Sequence, residues 1–351
     1  MHKARSFFTA TELANGDVLV AGGYDGHATF PNFIFADAEI YRLHRQSWQV
    51  VTPMHDPRAA AVALRLHDGR VMVAGGLDAT FSALASVELY DPRTGKWTMT
   101  GAMNDARAED FTLVQLPGGE VLAAGGEGAT GVLTSAELWN PRTGRWTRTA
   151  SMHVPRTEYT TTVLTNGRIL VVGGGVAVGE EEQPPPITAT AEIYNPTTRQ
   201  WTLTGSMHFG RLDHSAVRLR DGRVLVAGGG AVVNGVPRYV ATAEIYHPRT
   251  GRWTMTGSMT RPHSEAEWAS VLLPNGKVLV PAGFTDFDQP GKGSDVFNPA
   301  TGTWSDAGQL SIIRAGHSAV VLRGNRGVLV IGGMSFPPEP SGATATTDLF
   351  R

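Results

Sequence analysis

The chain has 351 residues, 42 of them glycine and none of them cysteine, with a formal net charge of -2. Lack of cysteine excludes disulfides, zinc-thiolate sites and thiol nucleophiles, and near-neutrality offers no global field for nucleic acid or an anionic membrane. No apolar run is long enough to span a bilayer, so neither a membrane nor a nucleic acid is expected as partner.

From the amino terminus onward the chain repeats one design with a period of about fifty residues. The stretch Met1 to Phe8 enters a strand pattern at once, without the apolar core of a secretory leader. The compartment stays open, and the cytoplasm is the favoured expectation. A diglycine closes an apolar run at Gly22-Gly23, Gly75-Gly76, Gly125-Gly126, Gly173-Gly174, Gly228-Gly229 and Gly332-Gly333, with Ala282-Gly283 as an altered copy. Each repeat holds four short apolar runs, a to d, separated by turn residues, which predicts an antiparallel meander and no helix. In the second repeat, strand a is predicted over 58–66, strand b over 71–74 and strand c over 87–90, with Trp97 opening strand d. The stretch Glu180 to Pro186 reads as a loop insertion.

The predicted units are 1–53, 54–102, 103–151, 152–206, 207–258, 259–309 and 310–351, within one domain spanning 1–351. Met1 matches the methionine that follows strand d elsewhere, and the chain stops just past the seventh strand c. The seventh unit is therefore expected to lack its outer strand. Either a preceding segment of a longer protein with other domains supplies it, which is the favoured expectation, or the edge is tolerated or capped in an assembly.

Spacing separates scaffold from function. The strand c acid precedes the strand d tryptophan by nine residues in Glu39-Trp48, Glu88-Trp97, Glu137-Trp146, Glu192-Trp201, Glu244-Trp253 and Asp295-Trp304. Between the diglycine and that acid stand 15, 11, 10, 17, 14, 11 and 14 residues. The widest length variation thus falls in the b-c loops, which share a face with the d-a loops. Binding sites favour variable loops on a rigid frame, so this face is expected to carry function, with Tyr24 to Ala38, Gly175 to Ala191 and Gly230 to Ala243 as its longer loops.

The diglycine, the aromatic (Tyr41, Tyr90, Trp139, Tyr194, Tyr246, Phe297) and the tryptophan seven residues later resemble the kelch family of β-propellers. The resemblance implies an all-β, seven-bladed kelch-type propeller of four-stranded antiparallel blades, the seventh without its outer strand. It implies little about activity, since the family spans binding modules and enzymes. Copper-dependent sugar oxidases of the family need a cysteine, which is absent. The iron site of nitrile-specifier proteins needs E-x-x-x-D, which is also absent.

Four residues after a recurrent methionine or its equivalent stand Arg5, Arg58, Arg107, Arg156, Arg211, His263 and Arg314. By resemblance to kelch substrate adaptors, these are expected to ring the channel mouth and hold a ligand, because guanidinium forks suit carboxylates, phosphates and sugar hydroxyls. Two residues on, Glu109, Glu158, Asp213 and Glu265 are expected to pair with them, whereas Phe7, Ala60 and Gly316 leave Arg5, Arg58 and Arg314 unpaired. The sixth repeat departs from the rest, and His263, Glu265 and Glu267 with His214 and His317 nearby form a candidate acid-base group. No metal or cofactor is expected.

The leading expectation is a binding module for an acidic peptide or an anionic or polyhydroxylated, carbohydrate-like ligand on the b-c/d-a face. The alternative is a sugar-acid isomerase or mutarotase using the His263/Glu265 arc.

Overall fold

A computed structural model describes residues 1–26, 33–177, 186–265, 269–286, 289–324, 326–336 and 342–350. Among them no helix occurs. Seven antiparallel sheets follow one another around a ring, six with four strands and the seventh with three. The second sheet is typical: strand a Val62–Arg65, b Val71–Ala74, c Val87–Asp91 and d Lys96–Met99, in that spatial order. Strands a neighbour one another from blade to blade, including the last with the first, so they line the central channel and the ring is closed. Strand a starts later than the expected residue 58, for a reason given below.

The strand b sequences, such as VMVA and ILVV, are apolar on both faces and fully buried in every blade except the longer sixth strand, whose first residues Val278–Val280 are equally buried. Two-sided burial follows from position, because each blade is sandwiched between neighbours. One such core unites Met72, Ala74, Val87 and Leu89 of blade two with Phe111, Val121, Trp139 and Trp146 of blade three. The closing core joins Phe8, Val18, Val20 and Tyr41 to Leu322, Leu329 and Ile331.

Register explains the constant nine-residue step. Tyr90 lies opposite Trp97 across strands c and d, with ring centroids 5.0 Å apart. The indole N–H then crosses to the preceding blade: Trp97 donates to the Thr52 carbonyl at 2.9 Å, Trp146 to Gly101 at 2.9 Å and Trp201 to Ala150 at 3.0 Å. Lengthening the c-d turn would break both contacts.

The diglycine is explained by a close approach. A Cβ on Gly75 would lie 2.2 Å from the Arg107 carbonyl oxygen of the next blade, at φ +61°. Gly76 N–H donates to that same carbonyl at 2.8 Å. Equivalent bonds link every pair of neighbouring blades, ending with Gly333 N–H to the Arg5 carbonyl at 3.0 Å.

Gly75→Ala is therefore expected to lower unfolding stability by roughly 3 kcal/mol, since it combines strain with a backbone clash. Gly118, which has open space around it, supplies the control: Gly118→Ala should stay within about 0.5 kcal/mol of the parent. Urea unfolding of the two variants checks the contrast.

Candidate functional site

The arginine series does not line the mouth. Arg5, Arg58, Arg107, Arg156, Arg211 and Arg314 are fully buried. Arg58 shows the shared arrangement: Nη1 donates to the Gly75 carbonyl at 2.7 Å and the Ser86 carbonyl at 3.1 Å, while Nη2 reaches Ser86 Oγ at 3.0 Å and Glu88 Oε1 at 3.2 Å. Glu88, also buried, accepts further bonds from the His55 and Asp56 amides and from the His55 ring. The acid that serves each arginine is therefore the strand c acid of its own blade. Arg5 pairs with Glu39, Arg107 with Glu137, Arg156 with Glu192, Arg211 with Glu244 and Arg314 with Asp348. The expected division into paired and unpaired arginines is corrected accordingly.

Burial pushes the guanidinium groups of Arg5, Arg58, Arg156 and Arg211 down, and that of Arg314 to about 10 against the opposing pull of the Asp348 carboxylate. In blade six, His263 takes the arginine's place. Its Nδ1 lies 2.6 Å from the Ala282 carbonyl and its Nε2 2.8 Å from Asp295 Oδ2. Both ring nitrogens are thus held inside the blade, and His263 does not converge with Glu265.

The other two histidines are packing residues as well. His214 and His317 are fully buried behind Gly229 and Gly333, the position held by Phe8, Phe111 and Tyr159 in other blades. Desolvation holds the His317 ring down at about 3 and the His214 ring well below its ordinary value. Each stands in for a core aromatic ring as a neutral imidazole. Glu267 lies outside the described residues.

The residues two positions after the arginines behave differently, because the backbone turns over there. Phe7, Ala60, Glu109, Glu158, Asp213, Glu265 and Gly316 all adopt left-handed φ values between 48° and 59°. Non-glycine residues in this region carry about 1 to 3 kcal/mol of strain. Recurrence in every blade assigns that strain to the ring geometry. Part of it is met by bonds between neighbours: Ala60 N–H donates to the Phe7 carbonyl at 2.8 Å and Asp213 N–H to the Glu158 carbonyl at 3.1 Å. The turn breaks the simple alternation expected of a strand, delays strand a to residues such as Val62, and separates the arginine from the acid two residues on.

What results is a channel mouth with two unlike arcs. On blades three to six stand Glu109, Glu158, Asp213 and Glu265, joined by Glu127, which directly follows a diglycine. Crowding by protein raises the Glu109 carboxyl, with Glu127 adding to the rise. The same desolvation, reinforced by Glu109 and Glu127, pushes Glu158 up to about 7. Glu265 also reaches about 7, through burial and the nearby Glu158. On blades seven, one and two the corresponding residues are Gly316, Phe7 and Ala60, beside a cavity of about 160 Å³ lined by Phe7, Phe8, Ala60 and Ala61. Glu265 Oε2 and the Phe7 ring meet above Gly316, each 3.5 to 3.6 Å from where its Cβ would be.

The apolar arc extends outward over the b-c loops. Phe7 contacts Tyr24, Tyr24 contacts Phe33, and Phe33 stacks on Phe81 at 5.4 Å. Phe81 is 56% exposed and adopts φ 58°. Glu127 was not singled out from sequence, although it was legible as an acid where the other repeats carry Tyr24, Leu77, Gly175, Gly230, Phe284 and Met334. Among the described residues, no three His, Asp or Glu side chains are grouped to hold a metal ion.

Known proteins were compared with this chain. The Kelch motif matches residues 58–104, 156–208 and 212–260. An F-box/kelch-repeat protein of Arabidopsis thaliana is 30% identical over 146 residues, 41% of this chain and 36% of that protein. Kelch-like protein 34 of Homo sapiens is 31% identical over 173 residues, covering 46% and 26%. Alpha-scruin of Limulus polyphemus is 30% identical over 138 residues, covering 38% and 14%. The chain thus spans between 14% and 36% of the length of these relatives. Among solved structures, a fungal alcohol oxidase in complex with copper superposes with a TM-score of 0.76 at 17% identity, over 97% of this chain and 73% of the other. That likeness is one of fold.

Arg58→Ala is expected to destabilise the protein by about 3 to 5 kcal/mol, because it strands a buried Glu88 carboxylate; denaturant titration reads the loss directly. Glu158 generates a pH effect of defined sign. Its folded value of about 7 lies above the ordinary 4.5, so its contribution is full below 4.5 and is lost as pH rises towards 7. Glu158→Gln should melt a few degrees higher than the parent at pH 8, and the gap should close by about pH 4.5.

Proposed function

Because the chain belongs to the kelch-repeat propellers, we propose that it is a protein-interaction module that docks a partner segment on the b-c/d-a face. The single observation that carries this reading is the pairing of an acidic arc with one exposed aromatic ring, Phe81, on the same face. The carboxylates of Glu109, Glu127, Glu158, Asp213 and Glu265 favour a cationic group. The exposed ring of Phe81 favours an apolar side chain next to it, and aromatic anchors contribute heavily to binding energy when covered. An acidic or anionic ligand fits this mouth poorly, since the arginines expected to hold it are committed within the blades. The F-box and kelch-like relatives are consistent with a protein partner by their names alone.

Raised carboxyl groups suit such a role. A cation arriving at Glu158 or Glu265 stabilises the ionised form and releases protons, so binding should strengthen as pH rises from 6 to 8. The test is titration with basic peptides that carry an aromatic or aliphatic residue beside lysine or arginine. Glu158→Gln combined with Glu265→Gln should weaken binding at least roughly tenfold, and Phe81→Ala by a comparable factor. Tighter binding of an acidic peptide, unaffected by these substitutions, would sink the proposal.

A further inference from the structure

A total charge of -2 conceals a division between the two faces of the ring. The face opposite the acidic mouth is built from seven a-b and six c-d turns, each counted from the last residue of one strand to the first of the next. Every c-d turn has the same length, from 42–47 to 298–303, and so do six of the seven a-b turns, from 12–18 to 272–278. Constant length brings the turns to one level, so they form a flat plate rather than a cleft.

Eighteen of the 30 lysines and arginines of the chain stand in these thirteen turns, against six acids. None of the eighteen is buried. Each of the six acids is already held by an arginine of the same face, as Glu12 is by Arg323 at 2.7 Å, Asp17 by Arg42 at 2.8 Å and Glu120 by Arg199 at 3.0 Å. An excess of twelve cations remains. It is spread over every blade but the first and is greatest in blade five, where Arg218, Arg220, Arg249 and Arg252 are all exposed. The balancing negative charge lies in the b-c and d-a connections, which carry Asp56, Asp78 and Asp105 besides the carboxylates of the mouth. The molecule is therefore polarised along its channel axis.

Sixteen of the eighteen are arginines, whose forks hold phosphate and carboxylate oxygens in pairs. Their spread around the ring suits a planar array of anions, which can meet six blades at once, whereas a nucleic acid duplex is a convex rod and meets only a strip across the plate. Of the exposed large apolar side chains, Val163 alone lies in these turns, and none of the turns contains an aromatic residue. The plate thus has no wedge to enter hydrocarbon and no ring on which unpaired bases could stack. We propose that this face docks on the surface of an anionic lipid bilayer, at the level of the headgroups, with the channel mouth turned away from the lipid. Many weak attractions then add across the plate, each screened by salt beyond about one Debye length.

Co-sedimentation of the intact protein with vesicles tests the proposal. Partitioning onto phosphatidylcholine vesicles with about 30% phosphatidylserine, at roughly 50 mM salt, should exceed that onto pure phosphatidylcholine at least tenfold and should vanish near about 0.5 M salt. Arg220→Glu, Arg249→Glu and Arg252→Glu combined should cut it at least tenfold. The same variant should bind basic peptides at the mouth as the parent does, so the mouth reading and this one fail separately. Should that variant misfold by circular dichroism, Arg142→Gln with Arg145→Gln in blade three serves in its place, with a smaller but measurable loss. Equal partitioning onto neutral vesicles, or partitioning that the substitutions leave unchanged, would overturn the proposal. So would tighter binding to a DNA duplex of about 20 base pairs than to the anionic vesicles, or salt-sensitive stacking of copies, basic face on acidic face, in place of vesicle binding.

Discussion

The ring depends on one buried unit, an arginine at the entry to strand a bound to the acid of strand c. The guanidinium bridges the diglycine carbonyl, the residue before strand c and the carboxylate, so it ties strands a, b and c together at their channel-side ends. The same residue's carbonyl accepts the diglycine N–H of the preceding blade. A single position thereby holds its own blade together and binds the preceding one. Buried ion pairs add little net stability over apolar packing, but removing one member leaves an unpaired charge, which is strongly unfavourable. Their role here is to impose register and blade spacing.

Much of the remaining structure follows from that unit. Directing the arginine into the blade requires the chain to reverse before strand a, which produces the ring of left-handed residues at positions such as Glu109 and Glu158. Those residues need no particular side chain, because their shared task is a backbone conformation. Their identities are consequently free to differ from blade to blade. That freedom gives one arc carboxylates and the other Phe7, Ala60 and Gly316.

A comparable division holds at the perimeter. In blades two to five the tryptophan of strand d links the blade to its predecessor through ring packing and an indole hydrogen bond. Among the described residues, blade seven contributes strands a to c, and a cavity of about 730 Å³ lies between it and blades six and one. The channel mouth and this perimeter cavity are separate features.

Sequence alone was sufficient for the all-β class, the seven blades, the constant c-d turn, the variable b-c loops and the three-stranded last blade. These are consequences of local spacing repeated many times, and repetition makes local patterns legible. The candidate residues themselves were also legible as two series, arginines and the acids two positions on. Their roles were not. Pairing an arginine with Glu109 or Glu158 assumed the two-residue alternation of a strand, whereas a left-handed turn intervenes, and the true partner lies about thirty residues away on strand c. Likewise, His214 and His317 looked like site histidines until their burial behind the diglycine showed them in the place of Phe8 and Tyr159. Contacts between distant segments, and the desolvation that raises Glu158 and Glu265, arise only when seven blades converge on one axis, so only the tertiary structure could decide them.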